Sequence, residues 1–197
     1  MGAVIVDGKA LALGLEEGLR GRVEALKQSG VVPHLAVVIA GDDPASHVYV
    51  RNKQRACERC GILSTRIDLP SNATQESVLE IVANLNSDSS VHGILVQSPA
   101  PEGVDELAIA SAISPNKDVD GFHPANLGRL VQGDASGLLP CTPSGVLMML
   151  EQSVGLMRLV SGSISVVGRR SVIPASRSWT CRTPAPSQFR HSMAAGR

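Results

Sequence analysis

Apolar positions follow two alternating rhythms along most of the chain. Leu11, Leu15, Leu19, Val23 and Leu26 are spaced by four, four, four and three residues, which puts them on one face of a helix over residues 9–28, behind a short opening strand. The run HLAVVIA (His34–Ala40) is almost continuously apolar and β-branched, as in a strand covered on both faces. GDDPAS then reads as a loop, residues 46–60 as a helix ended by Gly61, residues 62–69 as a strand, and residues 74–86 as a helix entered through Ser71, Asn72 and Thr74. Residues 92–97 (HGILVQ) form another buried strand, closed by the prolines of SPAPEG. Residues 103–113 read as helical, and residues 114–130 as a long polar connection. Thr142 caps a helix reaching about Glu151, with Pro143 in its first position, and residues 163–168 (SISVVG) make one more buried strand. This alternation predicts an α/β fold, a parallel sheet with helices on both faces.

Composition narrows the function classes. The 197 residues are 43% hydrophobic and 18% charged, which suits a globular chain and excludes wholesale disorder. Only Tyr49, Phe122, Trp179 and Phe189 are aromatic, too few for a base-stacking surface, so no nucleic-acid partner is expected. No apolar run approaches the length of a membrane span, and the start lacks a signal peptide's basic and apolar regions, so the expected location is the cytoplasm, without a membrane partner. The four cysteines are then thiols by default. Cys57 and Cys60 have metal-site spacing but no second Cys or His pair, which favours core thiols and no metal. The net charge of zero hides a split: residues 1–168 carry −6, and residues 169–197, with six arginines and no acid, carry +6. That last stretch shows neither helical nor alternating period and reads as an unstructured basic tail.

In an open parallel sheet, ligands sit beyond the carboxyl ends of strands. Three segments there carry chemistry. Ser46, Tyr49 and Lys53 follow the first buried strand at spacings of three and four, on one helix face. Gln97 ends the next, and Lys117, Asp118, Asp120 and Gly121 lie in the polar connection. Tyr49 can lay a ring on a flat heterocycle, Lys53 can give or take a proton, and Gln97 can hold that amine. Asp120 suits a ligand edge with two adjacent N–H donors. The same residues also suit a solvated helix face with an acidic loop. His47 and His123 read either as substrate contacts or as surface residues.

Five blocks, in order, resemble the motifs of the methylenetetrahydrofolate dehydrogenase/cyclohydrolase family, the FolD proteins. They are SHVYVRNK (46–53), GILVQSP (93–99), PNKDVDGF (115–122) with Asn126 and Gly128 behind it, PCTPSG (140–145) and VVGR (166–169). The resemblance implies a tetrahydrofolate-binding α/β domain followed by a Rossmann-type domain for NADP or, in some members, NAD, usually in a homodimer formed through the second domain. It makes Lys53 the catalytic lysine, Tyr49 the ring stacked on folate, Gln97 the support of the lysine, Asp120 the grip on the pterin edge and Ser46 a further substrate contact. Gly168, Arg169 and Arg170 fall at the cofactor phosphate. The implied reactions are oxidation of 5,10-methylenetetrahydrofolate and hydrolysis of the methenyl product to 10-formyltetrahydrofolate.

The match departs from the family's G-R-S-x-x-V-G-x-P motif, where this chain has Arg170, Pro174 and Ser176 in place of the serine, the second glycine and the proline. Twenty-nine residues follow Gly168, and one βαβ unit takes about 30. The expected organisation is therefore a folate-binding domain over 1–139, a helix and first strand of an incomplete NAD(P) domain over 140–168, and a tail over 169–197 that reads as out-of-frame translation. Three functional readings stand: the bifunctional enzyme, a non-catalytic or unstable folate-binding remnant, or a basic-tailed interaction protein.

Overall fold

The computed structural model describes residues 5–154. In chain order the elements are α1 (Gly8–Gln28), β1 (His34–Ala40), α2 (Pro44–Cys60), β2 (Leu63–Leu69), α3 (Gln75–Ser87), β3 (Gly93–Gln97), α4 (Glu106–Ala112), α5 (Pro124–Gln132) and α6 (Cys141–Val154). Gly8–Cys141 forms one compact unit, and the described residues on either side of it belong to a second. Among the described residues no helix is long and apolar enough to cross a membrane.

The three strands form a parallel sheet in the order β2-β1-β3, with Val37 of β1 between Arg66 and Leu95. β1 is central, which is why its sequence is apolar at almost every position: it has neighbours on both edges and helices on both faces. On one face Ala36, Val38 and Ala40 pack with Val78, Val82 and Leu85 of α3, with Ile94, and with Ile109 of α4. On the other, Val37 and Ile39 pack with Val50 of α2 and Leu95. α1 is tied to α2 by a two-pronged bond from Arg59 to Glu16, and of its apolar face Val23 is buried while Leu15, Leu19 and Leu26 stay more than a third exposed.

Helix boundaries follow local chemistry. Asp43 caps α2 by accepting from Ser46 N, and Pro44 takes a first-turn position where no N–H is needed, so the loop predicted as GDDPAS shrinks to 41–43. Gly61 ends α2 at φ 76, donating its N–H to the carbonyls of Cys57 and Glu58, a left-handed cap that a side chain disfavours. Thr74 caps α3 as read, and the helix predicted over 103–113 contracts to α4 because Asp105 caps it through the N–H groups of Leu107 and Ala108.

Three expectations need correction. The connection over 114–130 is not all loop: it contains α5, capped by the His123 side chain, begun by Pro124 and ended by Gly133 in the left-handed conformation. α6 begins at Cys141, one residue before the expected Thr142 cap. Of the predicted opening strand, residues 5–7 have no regular structure, and residues 1–4 lie outside the described residues, as does the strand expected at 163–168.

Candidate active site

The chain leaves β1 through α2 toward β2 on one side, whereas β3 lies on the other side of β1. The carboxyl ends of β1 and β3 therefore open a crevice at a topological switch point, the usual ligand position in such sheets. α2 supplies one wall and the segment after β3 the other.

Lys53 lies on α2 two turns from its start, and its Nζ donates to Gln97 Oε1 at 3.1 Å across the crevice. Gln97 is held in turn: its Nε2 donates to Ser98 O at 2.7 Å. Tyr49, one turn before Lys53, is 62% exposed, so its ring is accessible. Ser46 is buried, and its hydroxyl already donates to Asp43 Oδ2 at 2.7 Å, within 3.5 Å of Ser98 O. In this structure Ser46 ties the start of α2 to the loop after β3.

The KDVDG segment separates into scaffold and site. Lys117 Nζ donates to the carbonyls of Leu85, Asn86 and Asp88, satisfying the acceptors left open at the C-terminal end of α3. Asp118 is 1% exposed, and its carboxylate accepts from Phe122 N, His123 N and Asn126 Nδ2. Ile94 N donates to Lys117 O at 2.7 Å, so the segment runs alongside β3. Gly93 permits this approach, because a Cβ there would stand 2.5 Å from Val119 Cγ1. Asp120 lies near both Lys53 and Asp118. Burial pushes its carboxyl above the ordinary value of 3.8, the Lys53 charge pulls it back, and Asp118 pushes it up again.

Gly121 turns the chain at φ 70 with the Leu139–Pro140 backbone so close that a Cβ would lie 2.6 Å from it. That contact brings in Cys141, which the sequence reading placed in a motif block but not among the site residues. The residue as a whole is exposed, yet its Sγ donates to Val119 O at 3.1 Å. Burial raises its thiol pKa first and the Asp120 charge adds to the rise, with Lys53 opposing.

The remaining candidates lie apart. His47 meets Arg66 Nη2 at 2.7 Å, and His123 caps α5 by accepting from Ala125 N. Cys57 and Cys60 are buried, and among the described residues no group of three or more His, Cys, Asp or Glu is placed to hold a metal. Gly168, Arg169 and Arg170 lie outside the described residues. A hollow of about 330 Å³ lined by Asn72, Thr74, Gln75, Glu76 and Glu102 contains none of these candidates.

The lysine–glutamine pair, the accessible tyrosine and the desolvated aspartate make a crevice able to bind a flat, N–H-bearing ring and exchange protons with it. The family model described as the tetrahydrofolate dehydrogenase/cyclohydrolase catalytic domain matches residues 6–120. The chain belongs to this family. It is 47% identical over 173 residues to the bifunctional protein FolD of Halalkalibacterium halodurans, a match covering 88% of this chain and 61% of that protein. It is 49% identical over 172 residues to the FolD protein of Chlorobium chlorochromatii, covering 84% and 58%. The chain thus spans about 60% of the length of these curated relatives. Among solved structures, the Campylobacter jejuni FolD enzyme superposes with a TM-score of 0.73 at 48% identity, over 75% of this chain and 52% of that one. The Trypanosoma brucei enzyme, solved with NADP cofactor and an inhibitor, gives 0.73 at 36% identity, over 76% and 52%.

Proposed function

We propose that the crevice between α2 and β3 binds tetrahydrofolate and its one-carbon adducts. There it serves the oxidation of 5,10-methylenetetrahydrofolate to the methenyl form and the hydrolysis of that product to 10-formyltetrahydrofolate. The observation that carries this reading is the Lys53–Gln97 contact with Asp120 close enough for its titration to depend on Lys53. NADP, or NAD in its place, supplies the hydride acceptor for the oxidation. We place its phosphate at Gly168, Arg169 and Arg170, where the NAD(P)-domain start over 140–168 meets the tail over 169–197. The setting is the cytoplasm, and the assembly implied by the family is a homodimer.

In this reading Tyr49 stacks on the folate, and Asp120 accepts two N–H donors from the pterin edge. Hydrolysis adds water across the methenyl C=N unit and releases one proton. Lys53 is the group placed to pass that proton on, with Gln97 Oε1 fixing the direction of the amine. Ser46 bounds the substrate site while anchoring the start of α2.

Asp120→Asn tests the binding half. An amide must turn an N–H toward one of the pterin's own donors, which costs about 1.5–3 kcal/mol, or roughly tenfold to hundredfold in affinity. Titration calorimetry with tetrahydrofolate measures this, and equal affinity in variant and parent refutes the assignment. The same substitution is expected to stabilise the free protein at neutral pH. A carboxyl raised in the folded state contributes most below 3.8, and that contribution is lost as pH rises through the folded value. The stability gain from Asp120→Asn therefore grows with pH across that window, as thermal melts at several pH values will show.

A further inference from the structure

We propose that Glu106 is a positioning residue for the Lys53–Gln97 pair, acting through the backbone of Ser98. Glu106 opens α4, on the far side of the loop that follows β3. Its Oε1 accepts from Ser98 Oγ at 2.7 Å and from Ala100 N at 2.8 Å, so one carboxylate oxygen holds both ends of the Ser98–Ala100 segment.

Ser98 in turn helps to fix which way the Gln97 amide faces. A carbonyl oxygen only accepts, so the 2.7 Å bond from Gln97 Nε2 to Ser98 O requires that Gln97 present Oε1 on its other side. There it accepts from Lys53 Nζ at 3.1 Å. If the Ser98 carbonyl turns away, the amide loses one of its two restraints, and only the Lys53 ammonium still holds Oε1 in place. Gln97 follows Val96 on β3, so its backbone is fixed by the sheet, and the amide orientation is what the loop controls.

The anchor for this control is firm because α4 is tied at both ends. Asp105 N donates to Gln75 Oε1 at 2.6 Å at its start, and Asn86 bonds Ala112 O and Ser114 N, each at 2.8 Å, at its end. Ile109 is buried in the core between them. Glu106 thus transmits the position of the α3–α4 layer to a crevice on the opposite side of the sheet edge. The consequence for substrate rests on the folate reading above, whereas the orientation of Gln97 does not.

The test uses the full chain with Glu106→Ala, Glu106→Gln and Ser98→Ala. Gln97 side-chain amide resonances, identified by their loss in Gln97→Glu, are recorded without ligand, and tetrahydrofolate affinity is measured by calorimetry. In Glu106→Ala the Gln97 resonances are expected to shift and broaden, and affinity to fall about tenfold. Glu106→Gln keeps an oxygen acceptor and restores both to within about twofold of the parent. Ser98→Ala, which removes one of the two bonds, moves the resonances in the same direction and gives the answer if Glu106→Ala does not fold. Unchanged Gln97 resonances in a variant that merely melts earlier overturn the proposal. A parent chain that binds no tetrahydrofolate defeats the folate reading alone, and the ligand-free resonances still decide the role of Glu106.

Discussion

Replacing Lys53 with methionine is expected to slow methenyl hydrolysis by about two to four orders of magnitude, the usual share of a positioned acid–base group. Methionine keeps the length and apolar stem of lysine but neither donates nor accepts the proton. Gln97 Oε1 loses the donor now at 3.1 Å, and Asp120 loses the charge that pulls its titration downward. Lys53→Arg separates charge from proton transfer. Its guanidinium stays protonated, so it restores the electrostatic balance around Asp120 without restoring the proton step. Both variants should therefore be slow, with arginine nearer the parent in tetrahydrofolate affinity. Loss of methenyl absorbance gives the rate and calorimetry gives the affinity. A methionine variant within a few fold of the parent rate would remove Lys53 from the chemistry.

What the sequence disclosed and what it hid differ in the range over which the causes act. β1 was legible because central strands need apolar residues at nearly every position, and α2 because Lys53, Tyr49 and the Gly61 cap are set by spacing along one helix. α5 was missed because its apolar stripe, Leu127, Leu130 and Val131, is only three residues long and sits among glycines and polar residues, while its only buried residue is the polar Asn126. The further signal was local, His123 and Pro124 at the start and Gly133 at the end. Within KDVDG, the three charged residues have different fates. Lys117 reaches carbonyls some thirty residues earlier in the chain, and Asp118 turns inward to a loop that exists only once α5 is formed. No periodicity encodes those partners. Cys141 joins Asp120 only because Gly121 admits the Leu139–Pro140 backbone, a contact of two loops that neither loop announces alone. Motif order pointed to the family, but separating a buried Asp118 from an Asp120 whose titration depends on Lys53 needed the fold.

That division predicts which of the two aspartates the fold itself depends on. Asp118→Ala is expected to lower the unfolding free energy by about 3–5 kcal/mol, because it leaves three donors without their acceptor in a buried place. Those donors are Phe122 N at 3.3 Å, His123 N at 2.8 Å and Asn126 Nδ2 at 2.9 Å, around a side chain 1% exposed. Asn126 is also engaged with Pro115 O and receives Leu138 N, so the loss spreads to both sides of α5. Asp118→Asn has the same shape but one accepting oxygen and an NH₂ facing N–H donors, and should fall between Ala and the parent. Asp120→Asn moves stability the other way at neutral pH, so two carboxylates separated by one residue give opposite signs under the same change. Urea denaturation followed by circular dichroism reads all three, provided the slope with denaturant is unchanged. If Asp118→Ala unfolds within about 1 kcal/mol of the parent, water or a shifted loop satisfies those donors, and Asp118 is not the anchor. If the loss is as large as expected, Asp118→Asn should also weaken tetrahydrofolate binding in conditions where it remains folded. The segment that carries Asp120 is held by Asp118, so on the proposed folate reading the two aspartates are coupled through the same backbone.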